Sequence, residues 1–486
     1  MRIMLTSVYL QCSINRMTLD NHAEDAFTST AFKTDHYEFT MVSAALKAGT
    51  ADRRVTFELF ARKLPKGRRY GVVAGVDRAI EAVMNFRFTE EQISYLSEQP
   101  GISEELIARL KAFRFEGSVT GLPEGSLYFP YTPILTVEGT FLECVLLETV
   151  LLSIYNHDSA IASAASRMVQ ATEGKFPLIE MGSRRAHEES AVSVARAAYI
   201  AGFAATSNVE AGIVYGIPIT GTAAHAFTLS FESEIEAFEA QVDALGVGTT
   251  LLVDTYDIEQ GIRNAIKVAG PELGAIRIDS GDLHDETVKA RELLDSLGAV
   301  NTKIILSSDI DEYSLANMVE RETPVNGAGA GTRVATGSGH PTCGMVYKLV
   351  EREDEHGNMV PVAKRASGKK SLGGRKTLIR TFDNSGNYDR EFIILPGERV
   401  HLTRALGADN FEYLQDSFIL GGRKLPDYLL TDKETEKIGI LKNIENARNL
   451  LKLELSKLPK SALSTLAGEP ALEAEVWQEP TRFPLT

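Results

Sequence analysis

Between about residue 175 and residue 333 the chain alternates short apolar runs with amphipathic stretches, and no other feature limits its fold so tightly. FPLIEMGS (176–183) precedes RAHEESAVSVARAAYIAGFA (185–204), and GIPITG (216–221) reads as a strand running into a histidine-bearing segment. TTLLVDT precedes IEQGIRNAIKVA, GAIRIDSGD precedes HDETVKARELLDSL, TKIILSSD precedes DEYSLANMVERE, and PVNGAGAGTR (324–333) ends the series. Strands separated by helical crossovers are forced to run parallel, because a hairpin return is too short to contain the helix. The pattern predicts an α/β fold built as a βα-barrel, regular or broken, with a doubly wound sheet as the alternative. In a barrel, the residues that follow the strands gather on one rim, where catalytic groups collect. Every unusual polar motif in this chain follows a strand.

The flanks read differently. VTFELFARKLP (55–65) has strand character up to a proline turn, TEEQISYL (89–96) and SEELIARLKAF (103–113) have helical spacing, and residues 118–139 read as hairpins. After residue 340 β-like segments return (GMVYKLVEREDEHG, RKTLIRTFDNSG, REFIILPG), followed by a charged helix over 433–457. The predicted division is an extension over 1–25, the N-terminal part of a β-rich domain with helices over 26–150, the barrel with the active site over 151–345, and a return to the β-rich domain plus C-terminal helices over 346–486. Met17 offers an alternative start, which would leave residues 1–16 untranslated.

Composition narrows the function. The net charge of −15 over 486 residues argues against a nucleic-acid binder, and an anionic substrate would need a local pocket of cations and backbone N–H groups. Three scattered cysteines, Cys12, Cys144 and Cys343, argue against a disulfide framework or a cysteine zinc site and for a reducing compartment, so a cytoplasmic protein is expected. No apolar run is long enough for a membrane helix.

Each motif has a functional reading beside a plain one. In NGAGAGTR the glycines Gly329 and Gly331 allow backbone N–H groups to approach an anion, and Thr332 and Arg333 add a hydroxyl and a charge; the plain reading is a tight turn. In IRIDSGDLHDE, strand alternation puts Arg277 and Asp279 on one face, suited to an acidic ring and a sugar diol, or the carboxylates to Mg²⁺; Asp282 reads equally as a helix cap. MGSRRAHEES places Arg184 and Arg185 at a strand-to-helix junction, where a cation is unfavourable unless an anion binds nearby. Ser207 and Asn208 are turn formers or donors to a carboxylate. Tyr37, in TDHYEFTM, is core packing or a platform for a flat ring. His225 in GTAAHAF has alanines at 223, 224 and 226 and no histidine at metal-ligand spacing, so it reads as a nucleophile or acid–base group in a tight anion site.

Taken in order, TDHYEFTM, GSRRAHE, TSN, GTAAHAF, IRIDSGDL, GAGT and CGMVYKLVE resemble the nicotinate phosphoribosyltransferase family, from about residue 30 to beyond 385, with RASGKKSLGGRKTLIRTFD also similar. The resemblance implies a type II phosphoribosyltransferase fold: an irregular βα-barrel with a β-rich second domain built from both chain ends. It implies ATP-coupled formation of nicotinate mononucleotide from nicotinate and phosphoribosyl pyrophosphate in NAD salvage, with Mg²⁺, through phosphorylated His225, in a homodimer with its site at the interface. By position it implies nicotinate binding by Tyr37, Arg184, Ser207, Thr222 and Arg277, and phosphoribosyl binding by Asp279, Gly329, Gly331 and Thr332. The related nicotinamide enzyme has an acidic residue where this chain has Ser207, which favours nicotinate as the ring. Residues 1–16 have no family counterpart, and Gly373 replaces an expected proline. The alternatives are a quinolinate or nicotinamide phosphoribosyltransferase, a Mg²⁺-dependent barrel hydrolase, and a non-catalytic binding protein that keeps the fold.

Overall fold

The computed structural model describes residues 28–364, 372–395, 410–425 and 433–476. The expected extension over 1–25, Cys12, and residues 365–371 of the RASGKKSLGGRK stretch lie outside the described residues.

Six short strands form one all-parallel sheet. Their spatial order is Ala205–Thr206, Leu178–Glu180, Gly327–Ala330, Lys303–Ser308, Ala275–Ile278 and Thr250–Leu252. The expected strand at GIPITG is reduced to a single parallel bridge between Thr206 and Ile219. Thr206 N–H donates to Pro218 O and Thr220 N–H donates to Thr206 O, so the segment follows the sheet edge without a ladder of its own. Pro218 lacks an N–H and Ile219 is exposed, which explains why pairing goes no further. Helices Glu188–Ile200, Ile258–Ala269, Leu283–Ser296 and Glu312–Glu320 follow strands as the alternation predicts. Asp257, Asp282 and Asp311 cap the last three of these.

This sheet is curved. Strands about 4.8 Å apart on a flat sheet would separate Ser207, after the first strand, from Asp279, after the fifth, by about 19 Å. Both instead line a single cavity of about 480 Å³. Arg277, on the fifth strand, also donates to the Thr222 Oγ1 hydroxyl at 2.5 Å and to Ala223 O at 3.1 Å, just beyond the segment that tracks the opposite edge. The two sides of the sheet are therefore tied across their loops.

The β-rich part draws on both halves of the chain. A seven-stranded sheet runs in the order Met359–Pro361, Met345–Glu353, Arg54–Ala61, Leu135–Thr140, Ser118–Gly121, Asp416–Leu420 and Arg423–Lys424. A four-stranded sheet contains Phe411–Tyr413, Thr377–Phe382, Tyr388–Ile394 and Ala474–Val476. Buried Arg380 joins this sheet to the C-terminal helix Lys433–Ser456 through Glu391 at 2.8 Å and Glu454 at 2.6 Å. At Gly373 a Cβ would come within 3.0 Å of Val362 O, so the expected proline could not pack there without a shift.

One major element has no counterpart in the sequence reading. The 24-residue helix Glu148–Ala171 spans the expected boundary at 150/151. Val150, Leu151 and Ile154 pack into the core of the β-rich part, while Ile161, Ala165 and Met168 pack into the α/β core. Buried Ser159 and Ser163 accept the Ala74 and Val72 N–H groups. A helix buried on nearly all sides has no polar stripe, and so lacks the usual periodic signal.

Candidate active site

The cavity is formed by loops that follow the parallel strands. Arg184, Ser207, Thr222, Arg277, Asp279, Gly329, Gly331 and Thr332 all line it, together with Met181, Ser183, Arg185, Gly221, Ala223, Ala224, Ser307, Ser308 and Asp309. Eight of the ten residues to which the family resemblance gives a role are thereby brought together; His225 adjoins the lining loop, and Tyr37 stands apart.

Arg184 and Arg185 lie in a single 3-10 turn, Ser183–Arg185, and the following helix starts only at Glu188. The predicted helix start at 185 is three residues early because His187, not Arg184, occupies the cap and accepts from Glu189 N–H. The arginines are thus on a loop facing the cavity, both exposed. Ser207 is held by its backbone, its N–H donating to Glu180 O at 2.8 Å. Asn208 caps the helix Val209–Tyr215 and donates to Ser183 Oγ at 3.0 Å, so its turn-forming role links two cavity loops.

Arg277 is half-buried, and its Nε has no hydrogen-bond partner. Burial pulls its guanidinium below the usual arginine range, against the opposing pull of Asp279 and Asp254. Asp279 accepts from Ser307 Oγ at 2.5 Å. Gly329 is in the strand itself, where a Cβ would meet Met181 Sδ at 2.5 Å, so a larger residue there would displace the Met181 side chain that also lines the cavity. Gly331 and Thr332 form the turn into the short helix Thr332–Ala335. Arg333 is exposed and does not line the cavity. Asp282 caps its helix through Asp285 N–H, which holds its carboxyl below the usual range.

His225 begins the helix His225–Leu229, with its ring 40% exposed. Nδ1 lies 3.1 Å from Thr255 Oγ1, and Nε2 lies 3.8 Å from Asp254 Oδ1. The Asp254 side chain is 1% exposed, and Oδ1 is buried without a hydrogen-bond partner. Its Oδ2 accepts from Asp279 N–H at 2.8 Å and Ser280 Oγ at 2.7 Å. One carboxylate therefore connects the histidine to the strand end that carries Asp279. Asp254, Thr255, Ser307, Ser308 and Asp309 were read from the sequence only as strand ends. Their signal was the polar ending of two apolar strands, TTLLVDT and TKIILSSD.

Tyr37 is 44% exposed on the helix His36–Lys47 and is not in the cavity lining. Partial burial, with Glu148, Glu38 and Asp35 nearby, pushes its hydroxyl up to about 12. Within one chain it does not meet the other ring-binding candidates.

Among the described residues, no group of three His, Cys, Asp or Glu side chains is placed to hold a metal ion alone. Mg²⁺ commonly rests on one or two carboxylates plus substrate phosphates. The cavity carboxylates of Asp279 and Asp309 fit that kind of site. No helix among the described residues is long and apolar enough to cross a membrane.

Residues 32–156 match the model of the nicotinate phosphoribosyltransferase N-terminal domain. The chain is 48% identical over 447 residues to a nicotinate phosphoribosyltransferase of Mycobacterium tuberculosis, covering 90% of this chain and 93% of that relative. It is 39% identical over 384 residues to a nicotinate phosphoribosyltransferase of Bacillus subtilis, covering 77% of this chain and 78% of the relative. The fold is similar to the crystal structure of human nicotinic acid phosphoribosyltransferase, with a TM-score of 0.74 and 25% identity over 91% of this chain and 97% of that one.

Proposed function

The chain belongs to the nicotinate phosphoribosyltransferase family, and we propose that it joins nicotinate to the phosphoribosyl group of phosphoribosyl pyrophosphate, with ATP driving the reaction through phosphorylated His225. The observation that carries this reading is the single cavity that gathers Arg184, Ser207, Thr222 and Arg277 with Asp279, Gly329, Gly331 and Thr332. The products are nicotinate mononucleotide and pyrophosphate, as NAD salvage requires.

Arg184 and Arg277 supply the positive charge for the ring carboxylate, and Ser207 and Thr222 supply hydroxyl donors. Asp279 accepts from the ribose hydroxyls. The Gly331–Thr332 turn, with Gly329 lining the cavity at the strand end before it, receives the 5′-phosphate through backbone N–H groups. The pyridine nitrogen attacks the sugar carbon as the bond to pyrophosphate breaks. The sugar gains positive charge on the way, and nearby Asp279 favours that charge. Holding the two reactants in line is the main source of acceleration.

A ring nitrogen of His225 attacks the γ-phosphorus of ATP, and ADP leaves. The Asp254 carboxylate favours a proton on Nε2, leaving the Nδ1 lone pair beside the Thr255 hydroxyl. Asp254 then stabilises the positive ring of the phosphohistidine, and water later removes the phosphoryl group. Asp279 and Asp309 would hold Mg²⁺ together with substrate phosphates. When bound, Mg²⁺ neutralises phosphate charge.

A homodimer with its site at the interface fits two observations. Tyr37 does not reach the cavity of its own chain. Exposed Val209, Ile213, Ile219, Phe227 and Leu229 form an apolar surface on the segments that flank the GTAA loop. A second copy would cover this surface and bring its own Tyr37 to the ring.

The test is product formation by purified protein with phosphoribosyl pyrophosphate and Mg²⁺. Nicotinate, nicotinamide or quinolinate is supplied, each with and without ATP. Mononucleotide from nicotinate, enhanced by ATP, is expected, and His225→Ala should abolish the enhancement. Activity on another ring alone, or a full ATP response in the variant, would refute the reading.

A further inference from the structure

Glu180 is a 1% exposed carboxylate at the end of the strand Leu178–Glu180. It does not line the cavity, yet both neighbouring strands lead into cavity loops. It pairs with Thr206 on one side, just before Ser207, and with Ala330 on the other, just before Gly331. Its Oε2 accepts from the Thr206 hydroxyl at 2.6 Å. Its Oε1 accepts from the Gly182 N–H at the base of the turn that carries Arg184 and Arg185. Its backbone carbonyl accepts from Ser207 N–H at 2.8 Å. One residue thus holds the arginine turn and the serine turn to each other.

The space around Gly182 leaves little freedom. A Cβ there would come within 2.8 Å of Glu180 Oε1 and Ala335 Cβ, and within 3.1 Å of Gly331 O. A side chain at 182 would press on Glu180, Ala335 and Gly331 at once, so the arginine turn can approach the Glu180 carboxylate this closely only as glycine. The placement of a carboxylate here is electrostatically adverse for a site that takes an anionic ring. Burial itself pushes the Glu180 carboxyl above the usual carboxylate range, while its two hydrogen bonds pull it back. Attraction of substrate does not account for it. Acceptance of two converging donors does, because an ionised carboxylate offers acceptors on both oxygens and glutamine offers only one.

We propose that Glu180 is a positioning residue that sets the spacing between the Arg184 turn and Ser207, and through it the fit of the ring carboxylate. The inference rests on the assignment of nicotinate to this cavity. Glu180 touches no substrate; it acts through Gly182 and Thr206. Glutamine preserves its volume and can keep its oxygen toward Gly182 N–H, but the Thr206 hydroxyl must then turn from donor to acceptor of the NH₂ group, and both contacts lose the carboxylate charge. The ring site should loosen while the phosphoribosyl site, reached through Gly329, Gly331 and Thr332, stays in place.

The experiment is steady-state kinetics of the full-length protein as wild type, Glu180→Gln, Thr206→Val and the double variant, varying nicotinate and phosphoribosyl pyrophosphate separately. In E180Q, KM for nicotinate should rise about tenfold, the effect of losing one charge-assisted hydrogen bond, with KM for phosphoribosyl pyrophosphate within about twofold of wild type. T206V should change in the same direction, although it also removes the acceptor of Asn208 N–H, and the double variant should be impaired by less than the product of the single effects, since both variants remove the Glu180–Thr206 contact. A general structural defect would instead move both KM values and kcat together. Equal changes in both KM values, unchanged kinetics in E180Q, or additive single effects would overturn the role of Glu180. A wild type that makes no mononucleotide from nicotinate would overturn the substrate assignment and this inference with it.

Discussion

Replacing Asp254 with asparagine should separate phosphorylation of His225 from the integrity of the site. The Nε2–Oδ1 separation is 3.8 Å. At an effective dielectric near 20, a unit positive charge on the ring would be stabilised by about 4 kcal/mol at this distance. The ring is 40% exposed, and solvent screening reduces this to about 2 kcal/mol, or about 30-fold in rate. Asparagine can keep the contacts to Asp279 N–H and Ser280 Oγ with its carbonyl oxygen. Its NH₂ group then faces Nε2 and favours the opposite tautomer. The assay is a single-turnover reaction with ATP labelled at the γ-phosphate, followed as acid-labile label on the protein. Phosphorylation should slow by about 30-fold, with the thermal midpoint within a few degrees of wild type. A D254N rate within about twofold of wild type would refute the electrostatic argument, because among the described residues no other carboxylate is paired with that ring.

Ser207→Asp should raise KM for nicotinate by at least tenfold, since a second carboxylate in the lining opposes the ring's own charge; kinetics with nicotinate and nicotinamide check this, and unchanged nicotinate kinetics would exclude Ser207 from ring recognition. Glu38 is fully buried, and burial pushes its carboxyl up to about 7 from its ordinary 4.5, against hydrogen bonds from Thr149. Between these values the folded protein keeps a proton that the unfolded chain releases, so stability falls as pH rises through the window, by on the order of 3 kcal/mol. Glu38→Gln does not titrate and should flatten this dependence; thermal midpoints from about pH 5 to 8 with the same slope in both proteins would refute it.

The sequence exposes the site more readily than its supports. Glycines, paired arginines and a histidine among alanines are unusual at strand ends, and the cavity gathers almost all of them. The carboxylates beneath are single residues in ordinary contexts. Glu180 reads as part of a short strand, and Asp254 as the polar end of another. Their importance lies in contacts with residues 26 and 25 positions away, Thr206 and Asp279, which no local pattern encodes. GIPITG shows the converse limit: its apolar alternation predicts a strand, but a proline and the exposed edge leave one bridge. The helix Glu148–Ala171 was hidden by its own burial, and with it the continuity of the two cores.

The order of strands also explains how a chain with net charge −15 can hold anionic substrates. Across the parallel sheet the following loops carry, in turn, Ser207, then Arg184 and Arg185, then Gly331 and Thr332, then Asp309, then Asp279, and last Asp254 beside His225. Cations lie toward one side and carboxylates toward the other, with the glycine turn between. A flat sheet would leave these as separate surfaces. Curvature, with Arg277 reaching across to Thr222, brings them around one volume. In the proposed reaction a ring carboxylate and a 5′-phosphate would then meet N–H and guanidinium groups, while the sugar carbon would gain positive charge near Asp279. In that proposal the cavity carboxylates serve the part of the reaction that becomes cationic, so the acidic balance of the whole chain need not be reversed there.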